Sequence, residues 1–242
     1  MSHFDITAHS HTSAAADSAP DLWQQYAQGN PPPDNGRMEW ACYPGSGPGT
    51  ELLGPVRGCR VIEVGSGFGR NLAHIARRGA ASCTGIDASV SMTERAIQLN
   101  ALLPNLHYVH GDASTHLRQN LAGADLVYSV YGAVDFTAPD VLLPAIRLGL
   151  AEMGRLVLAT LQFDQHGQPP DTEVRPRTML VPLGRTGRQA ELQRWVLDES
   201  VWRRLLDRHG FTVTSSRLIG PPDAQGLTES CLVMTALKVL SR

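Results

Sequence analysis

The chain has 242 residues, 42% of them hydrophobic and 18% charged, a size and balance that fit one large α/β domain or a core domain with appendages. With 21 Lys+Arg against 23 Asp+Glu, the net charge is −2. No global basic surface exists to neutralise a phosphate backbone, so nucleic acid is not an expected partner. The four cysteines, Cys42, Cys59, Cys83 and Cys231, form no CxxC pair, which leaves neither a zinc knuckle nor a dithiol redox motif. Free thiols in a reducing compartment follow. Met1 to Pro20 lacks a basic segment followed by an apolar one, and no stretch approaches the roughly 18 apolar residues of a membrane span. A soluble cytoplasmic protein without membrane contact is expected.

Residues 1–20 are rich in Ser, Ala, His and Asp and read as a mobile tail, because they cannot bury enough apolar surface to offset their ordering entropy. Its histidines, His3, His9 and His11, are read as solvated and no metal is assigned. A short helical patch begins at Asp21 and runs into Asn30-Pro-Pro-Pro and a Gly/Pro-rich stretch from Trp40 to Gly49. Residues 21–57 are therefore an aromatic-bearing arm, either packed on the core or acting as a lid.

From Arg60 the pattern turns regular. Apolar runs at Val61–Val64, Cys83–Ile86, Leu106–Val109, Asp125–Val130 and Arg155–Thr160 alternate with amphipathic helices, the last from about Ala138 to Met153 with Gly154 as its stop. Strands alternating with helices imply a parallel sheet with helices on both faces. Residues 161–197 break that rhythm with Gln168-Pro-Pro-Asp, Pro176 and Pro182, and read as a cap carrying two short strands. A helix capped by Asp198 and closed by Gly210 follows. The final strands, Phe211–Ile219 and Ser230–Leu240, are joined by too short a loop for a crossover helix and should pair antiparallel.

The chemistry lies in Val61-Ile-Glu-Val-Gly-Ser-Gly-Phe-Gly-Arg-Asn71, a strand feeding a Gly-rich turn that opens a helix. Gly65 and Gly67 permit a tight bend and close approach by a ligand. Asp87 closes the next strand, 18 residues past Gly69, where a carboxylate can accept from both ribose hydroxyls. A dinucleotide turn reads GxGxxG, whereas Arg70 stands at the third glycine here and Glu63 precedes the first. A carboxylate at that place would repel pyrophosphate and suits a ligand carrying an ammonium and a sulfonium, S-adenosylmethionine.

Across roughly residues 58–160 the chain resembles the class I S-adenosylmethionine-dependent methyltransferases of the small-molecule type. Glu63 to Asn71 resembles the first motif, whose glycines pack against the methionine moiety. Gly85-Ile-Asp-Ala-Ser-Val-Ser-Met92 resembles the second, implying that Asp87 binds the ribose while Ala88 and Met92 flank the adenine. His110-Gly-Asp-Ala113 resembles the third, implying that Asp112 accepts from the adenine amino group and the Ala113 N–H donates to the ring. Asp125 to Gly132 resembles the fourth, implying that Ser129 and Tyr131 face methyl donor and acceptor. The implied fold is a doubly wound, Rossmann-like, seven-stranded, mostly parallel sheet with one antiparallel strand at its C-terminal edge. It occupies residues 58–242, with the cap at about 161–197. The absence of an Asn/Asp-Pro-Pro-Tyr-like sequence after Tyr131 lessens the case for amino-methylation of nucleobases or glutamine.

On the acceptor side, Trp40, Tyr43, Tyr131, Phe136 and Trp195 are candidate pocket walls. His110, Asp135, Tyr131, Asp164 and His166 are candidate acid–base groups, none in a diagnostic pattern. The reading is methyl transfer to O, N or C of a small organic acceptor, in keeping with a specialised-metabolite tailoring step, and a homodimer is compatible with it. A protein that binds S-adenosylmethionine without transferring methyl is the alternative. A nicotinamide-dependent reductase is more remote, since none of Tyr26, Tyr43, Tyr108, Tyr128 or Tyr131 has a Lys four residues on.

Overall fold

The computed structural model describes residues 36–41, 43, 45, 47–163, 167–182, 189–220 and 230–240. The expectations for the tail, the patch at residue 21, Cys42, Asp164 and His166 lie outside those residues.

Strand β1 (Arg60–Val64) leads into α1 (Arg70–Arg77), β2 (Ser82–Asp87) into α2 (Val90–Asn100), and β3 (Leu106–His110) into α3 (Ala113–Gln119). Strand β4 (Ala124–Val130) is followed by the one-turn α4 (Ala133–Phe136), by α5 (Pro139–Gly149) and, without a gap, by β5 (Leu150–Leu161). The cap supplies β6 (Arg177–Pro182) and β7 (Gln189–Arg194), after which come α6 (Glu199–Arg208), β8 (Phe211–Ile219) and β9 (Cys231–Lys238). One seven-stranded sheet has the order β3-β2-β1-β4-β5-β9-β8. Strands β1 to β5 pair in parallel, while β9 runs antiparallel to both β5 and β8. The reversed strand thus lies one place in from the C-terminal edge, as a short β8–β9 connection requires.

Central strands are apolar on both sides, the pattern of a sheet covered on both faces. One face carries Ala113 and Leu117 of α3, Leu142 and Ile146 of α5, and Trp202 and Leu205 of α6. The other carries Leu72 and Ile75 of α1 together with Met38, Trp40, Leu53 and Val56 of the arm. Chain order reverses between β1 and β4, which opens a crevice at the carboxyl ends of those strands.

One boundary differs from expectation. Helix α5 ends at Gly149, not Met153, and a Cβ at Gly149 would come within 2.6 Å of Leu117 in α3. Gly154 instead sits in an irregularity of β5, where the register against β4 jumps from Ala124↔Leu150 to Leu126↔Arg155 and Met153 takes a φ of +60°. Local periodicity cannot separate a last helical turn from a bulged strand start. The cap is an antiparallel β6–β7 hairpin with its own pairing, as in Met179↔Leu192. Two carboxylates pin it. Asp171 takes Arg175 at 2.7 Å and Arg177 at 2.5 Å, and Asp135 of α4 takes Arg194. No described helix is long and apolar enough to cross a membrane.

Candidate functional site

The turn after β1 is built by hydrogen bonds to the tip of β2. The Gly65 and Ser66 amides donate to Ile86 O at 2.8 and 3.1 Å, and the Gly67 amide donates to Asp87 Oδ2 at 2.8 Å. Gly65, Gly67 and Gly69 all have positive φ, a conformation that L side chains rarely adopt. Their surroundings differ. A Cβ at Gly65 would lie 2.3 Å from Ala133 N, so this glycine lets the turn press against the entry to α4, whereas a Cβ at Gly67 would meet open space. From the other side Tyr108 and Asn100 buttress the turn: the Tyr108 hydroxyl donates to Gly69 O at 3.3 Å, and Asn100 Nδ2 donates to Phe68 O at 3.2 Å. The sequence reading did not single out either residue.

Asp87 is half-buried at the β2 tip, and its Oδ1 accepts the Ser89 amide at 2.9 Å. Burial pushes its carboxyl pKa up, against the two backbone bonds and the nearby His110 charge. Each oxygen holds one backbone bond, and a carboxylate oxygen can accept more, so the pair is oriented for a vicinal diol. Glu63 is buried at the end of β1, and its Oε2 has no hydrogen-bond partner among the described residues. Desolvation drives its pKa up to about 8. The Tyr128 hydroxyl pulls it back down, Asp87 adds to the rise, and Arg70 and the Leu72 amide oppose it. A buried, unsatisfied acceptor carries an appreciable desolvation penalty, which an incoming ammonium would relieve.

At the β3 tip, Asp112 caps α3, with Oδ1 accepting from Thr115 N and Thr115 Oγ1, each at 2.8 Å. Ala113 opens that helix, so its amide is among those without an intrahelical acceptor. Met92 is buried against Phe68 in a small cluster of its own, and Ala88 is exposed, its carbonyl 3.1 Å from His110 Nε2. The structure therefore brings Glu63, Gly65, Gly67, Asp87, Ala88, Met92, Asp112 and Ala113 to the carboxyl ends of β1, β2 and β3.

Ser129 departs from expectation. It is wholly buried, its hydroxyl donating to Val64 O at 2.8 Å and accepting from Val134 N at 3.4 Å, so it ties β1 to α4. The aromatic candidates do not form one pocket either. Trp40 is wholly buried, donates Nε1–H to Gly49 O at 2.8 Å and meets Tyr128 edge-on. Its bulk fills the core. Tyr43 and Tyr131 pack on the Trp40 side of the sheet and Trp195 on the other, while Phe136 lies under the Arg194 guanidinium, 5.1 Å from its carbon to the ring centroid.

Asp135 is also recast. It is wholly buried and ion-paired with Arg194 through Oδ2, and its backbone oxygen accepts from Trp195 N, so it joins cap to motif and does not stand as a free base. Burial raises its pKa, and Arg194 and Thr160 lower it. His110 is exposed at the β3 tip, against Ala88 O. Tyr131 has a φ of +49° immediately after β4, its amide donating to Ala159 O at 3.0 Å.

Comparison with known proteins agrees with this geometry. Residues 61–154 match the family described as methyltransferase domain. No curated protein matches the chain. Among solved structures, the 1,6-didemethyltoxoflavin-N1-methyltransferase of Burkholderia thailandensis aligns at 19% identity and a TM-score of 0.57, over 94% of this chain and 82% of its own. An S-adenosylmethionine-dependent methyltransferase of Mesorhizobium loti aligns at 20% and 0.57, over 77% and 94%. One from Methanosarcina mazei aligns at 18% and 0.61, over 77% and 95%. Residues 61–154 thus carry a match to a methyltransferase domain, and the chain shares the fold of these solved S-adenosylmethionine-dependent methyltransferase structures.

Proposed function

We propose that the chain binds S-adenosylmethionine in the crevice between β1 and β4 and transfers its methyl group to O, N or C of a small organic acceptor. The observation that carries this reading is the buried, unsatisfied Oε2 of Glu63 on the strand that feeds the glycine turn, together with the open space over Gly67 and the backbone-braced carboxylate of Asp87. Glu63 would hold the ammonium, Asp87 the ribose hydroxyls, and Asp112 with the Ala113 amide the adenine edge, with Phe68 and Met92 beside the ring. When bound, the cofactor supplies an electrophilic sulfonium methyl that a positioned lone pair displaces in line. The protein's part is orientation and the exclusion of water.

Support for a small acceptor comes from the cap. Its described arginines, Arg175, Arg177 and Arg194, each face a carboxylate, which does not favour a polyanionic substrate. The Burkholderia enzyme was crystallised with the small molecule 1,6-didemethyltoxoflavin and S-adenosylhomocysteine. Tyr131, just before α4, and Phe136, the last residue of α4, are the residues we assign to the acceptor side. The test is a mass-spectrometric screen of candidate acceptors for a product heavier by CH₂. Saturable cofactor binding with no product from any acceptor class would favour a binder that does not transfer methyl, and saturable binding of NAD would overturn the ligand.

A further inference from the structure

We infer that Tyr128 is a positioning residue for the Glu63 carboxylate, and that Trp40 of the N-terminal arm fixes Tyr128 in that role. The inference rests on the proposed S-adenosylmethionine site and adds to it a residue of β4 and a residue of the arm.

Glu63 and Tyr128 are register partners on adjacent parallel strands, so their side chains leave the sheet on the same face. Both are buried, and neither Glu63 Oε2 nor the Tyr128 hydroxyl has a hydrogen-bond partner among the described residues, while the hydroxyl lies near enough to hold the Glu63 carboxyl pKa down. A phenol beside a carboxylate can donate to the ionised form, which a bound ammonium would favour. Rotation of the ring away is blocked by Trp40, whose ring lies edge-on to it, centroids 6.1 Å apart at an interplanar angle of 67°. Trp40 is itself fixed at three places. Its Nε1 donates to Gly49 O, the Cys231 thiol donates to its carbonyl at 3.1 Å, and the Asn71 side chain brackets the preceding residue. In that bracket Asn71 Nδ2 donates to Glu39 O at 3.0 Å and Glu39 N donates to Asn71 Oδ1 at 3.2 Å. Asn71 belongs to α1, two residues past the glycine turn, so arm, turn and carboxylate are mechanically one assembly.

The titratable and charged groups facing Glu63 are Tyr128 of β4, Asp87 and Cys83 of β2, Tyr108 of β3 and Arg70 of α1. Of these, Tyr128 is the foremost influence favouring the ionised carboxylate. Removing its hydroxyl should therefore raise the pH at which Glu63 ionises and weaken its hold on an ammonium.

The experiment is calorimetry on the full chain between pH 6.5 and 9, with S-adenosylhomocysteine, which carries the amino-acid moiety, and 5′-methylthioadenosine, which keeps the nucleoside and lacks it. Tyr128→Phe should weaken S-adenosylhomocysteine about tenfold at pH 7.5, the scale of one lost hydrogen bond to a charged group, and leave 5′-methylthioadenosine within twofold. The midpoint of its affinity-against-pH curve should move upward relative to the unsubstituted chain, a comparison in which the ligand's own amine titration cancels. Trp40→Phe, which loosens the ring's support without touching the hydroxyl, should give the same selective loss at smaller size. Equal weakening of both ligands, or no change in either, would overturn the positioning role while leaving the cofactor site standing. Failure of the unsubstituted chain to bind either ligand would overturn the site and the inference together.

Discussion

The carboxylate of Asp87 accepts the Gly67 amide hydrogen at 2.8 Å, so the tip of β2 and the glycine turn after β1 form one hydrogen-bonded unit. The same side chain also accepts the Ser89 amide at the start of α2. In the proposed site, nucleoside recognition and turn geometry are thus coupled through a single residue.

Asp87→Ala should lower S-adenosylhomocysteine affinity at least a hundredfold, because it removes two hydrogen bonds to a charged group and releases the turn that approaches the ligand. Asp87→Asn keeps one acceptor oxygen and should fall between that variant and the original chain. Calorimetry of the two variants checks the order. Affinity unchanged in Asp87→Ala would place the ribose elsewhere.

Glu63 makes stability depend on pH, with a definite sign. In the unfolded chain its carboxyl ionises near 4.5, while burial in the fold pushes it up to about 8. Between those values the native state binds the extra proton, so stability is full below the lower value and falls as pH rises toward the upper one. Asp87 and Asp135, also raised by burial, add to the same trend. Glu63→Gln should flatten the decline in melting temperature of the ligand-free protein between pH 5 and 8.5, and weaken cofactor binding. Parallel curves for the two proteins would show that Glu63 is ionised in the fold.

The two glycines of the turn offer a contrast. Gly65→Ala places a Cβ 2.3 Å from the Ala133 backbone nitrogen, in a left-handed conformation, so folding itself should suffer by several kcal/mol. Gly67→Ala meets only open space and should lose about 1–2 kcal/mol from its positive φ alone. If the space over Gly67 receives the ligand, this second variant remains folded yet loses cofactor affinity out of proportion to its stability. Thermal melts and calorimetry on both variants decide the matter. Unimpaired binding by Gly67→Ala would mean that the crevice is filled from another side.

How far the sequence disclosed this arrangement depends on the range of the interaction. The βα alternation and the carboxylates Glu63, Asp87 and Asp112 are legible, since each sits at a strand end followed by turn residues, a pattern contained in a few neighbours. Ser129 and Trp40 are not. Ser129 is consumed by a carbonyl 65 positions away, and Trp40 by a tyrosine on the fourth strand, and nothing local distinguishes a core tryptophan from a pocket one. Tyr128 escaped notice because its partner is set by strand register, which appears only once β1 and β4 are known neighbours. The cap's Arg-to-Asp pairing was hidden for the same reason. No local pattern marks that Asp171 accepts both Arg175 and Arg177.

The Asp135–Arg194 pair joins the cap hairpin to the short helix α4, beside the proposed acceptor side, and its burial fixes what its loss should do. Arg194→Met leaves a wholly buried carboxylate without its cation, which should destabilise the protein by about 3 kcal/mol. Asp135→Asn removes the charge but leaves the guanidinium desolvated over Phe136, and should also destabilise. The double variant Asp135→Asn/Arg194→Met removes both charges, so it should recover more than half of the loss seen for Arg194→Met. Urea denaturation of the four proteins gives the cycle. Because β7 contacts the rest of the fold through this pair and through the Trp195 amide on Asp135 O, Arg194→Met should also speed amide exchange in the described hairpin strands, 177–182 and 189–194. Additive losses in the cycle, with exchange unchanged, would mean that the Asp135–Arg194 pair does not hold the hairpin.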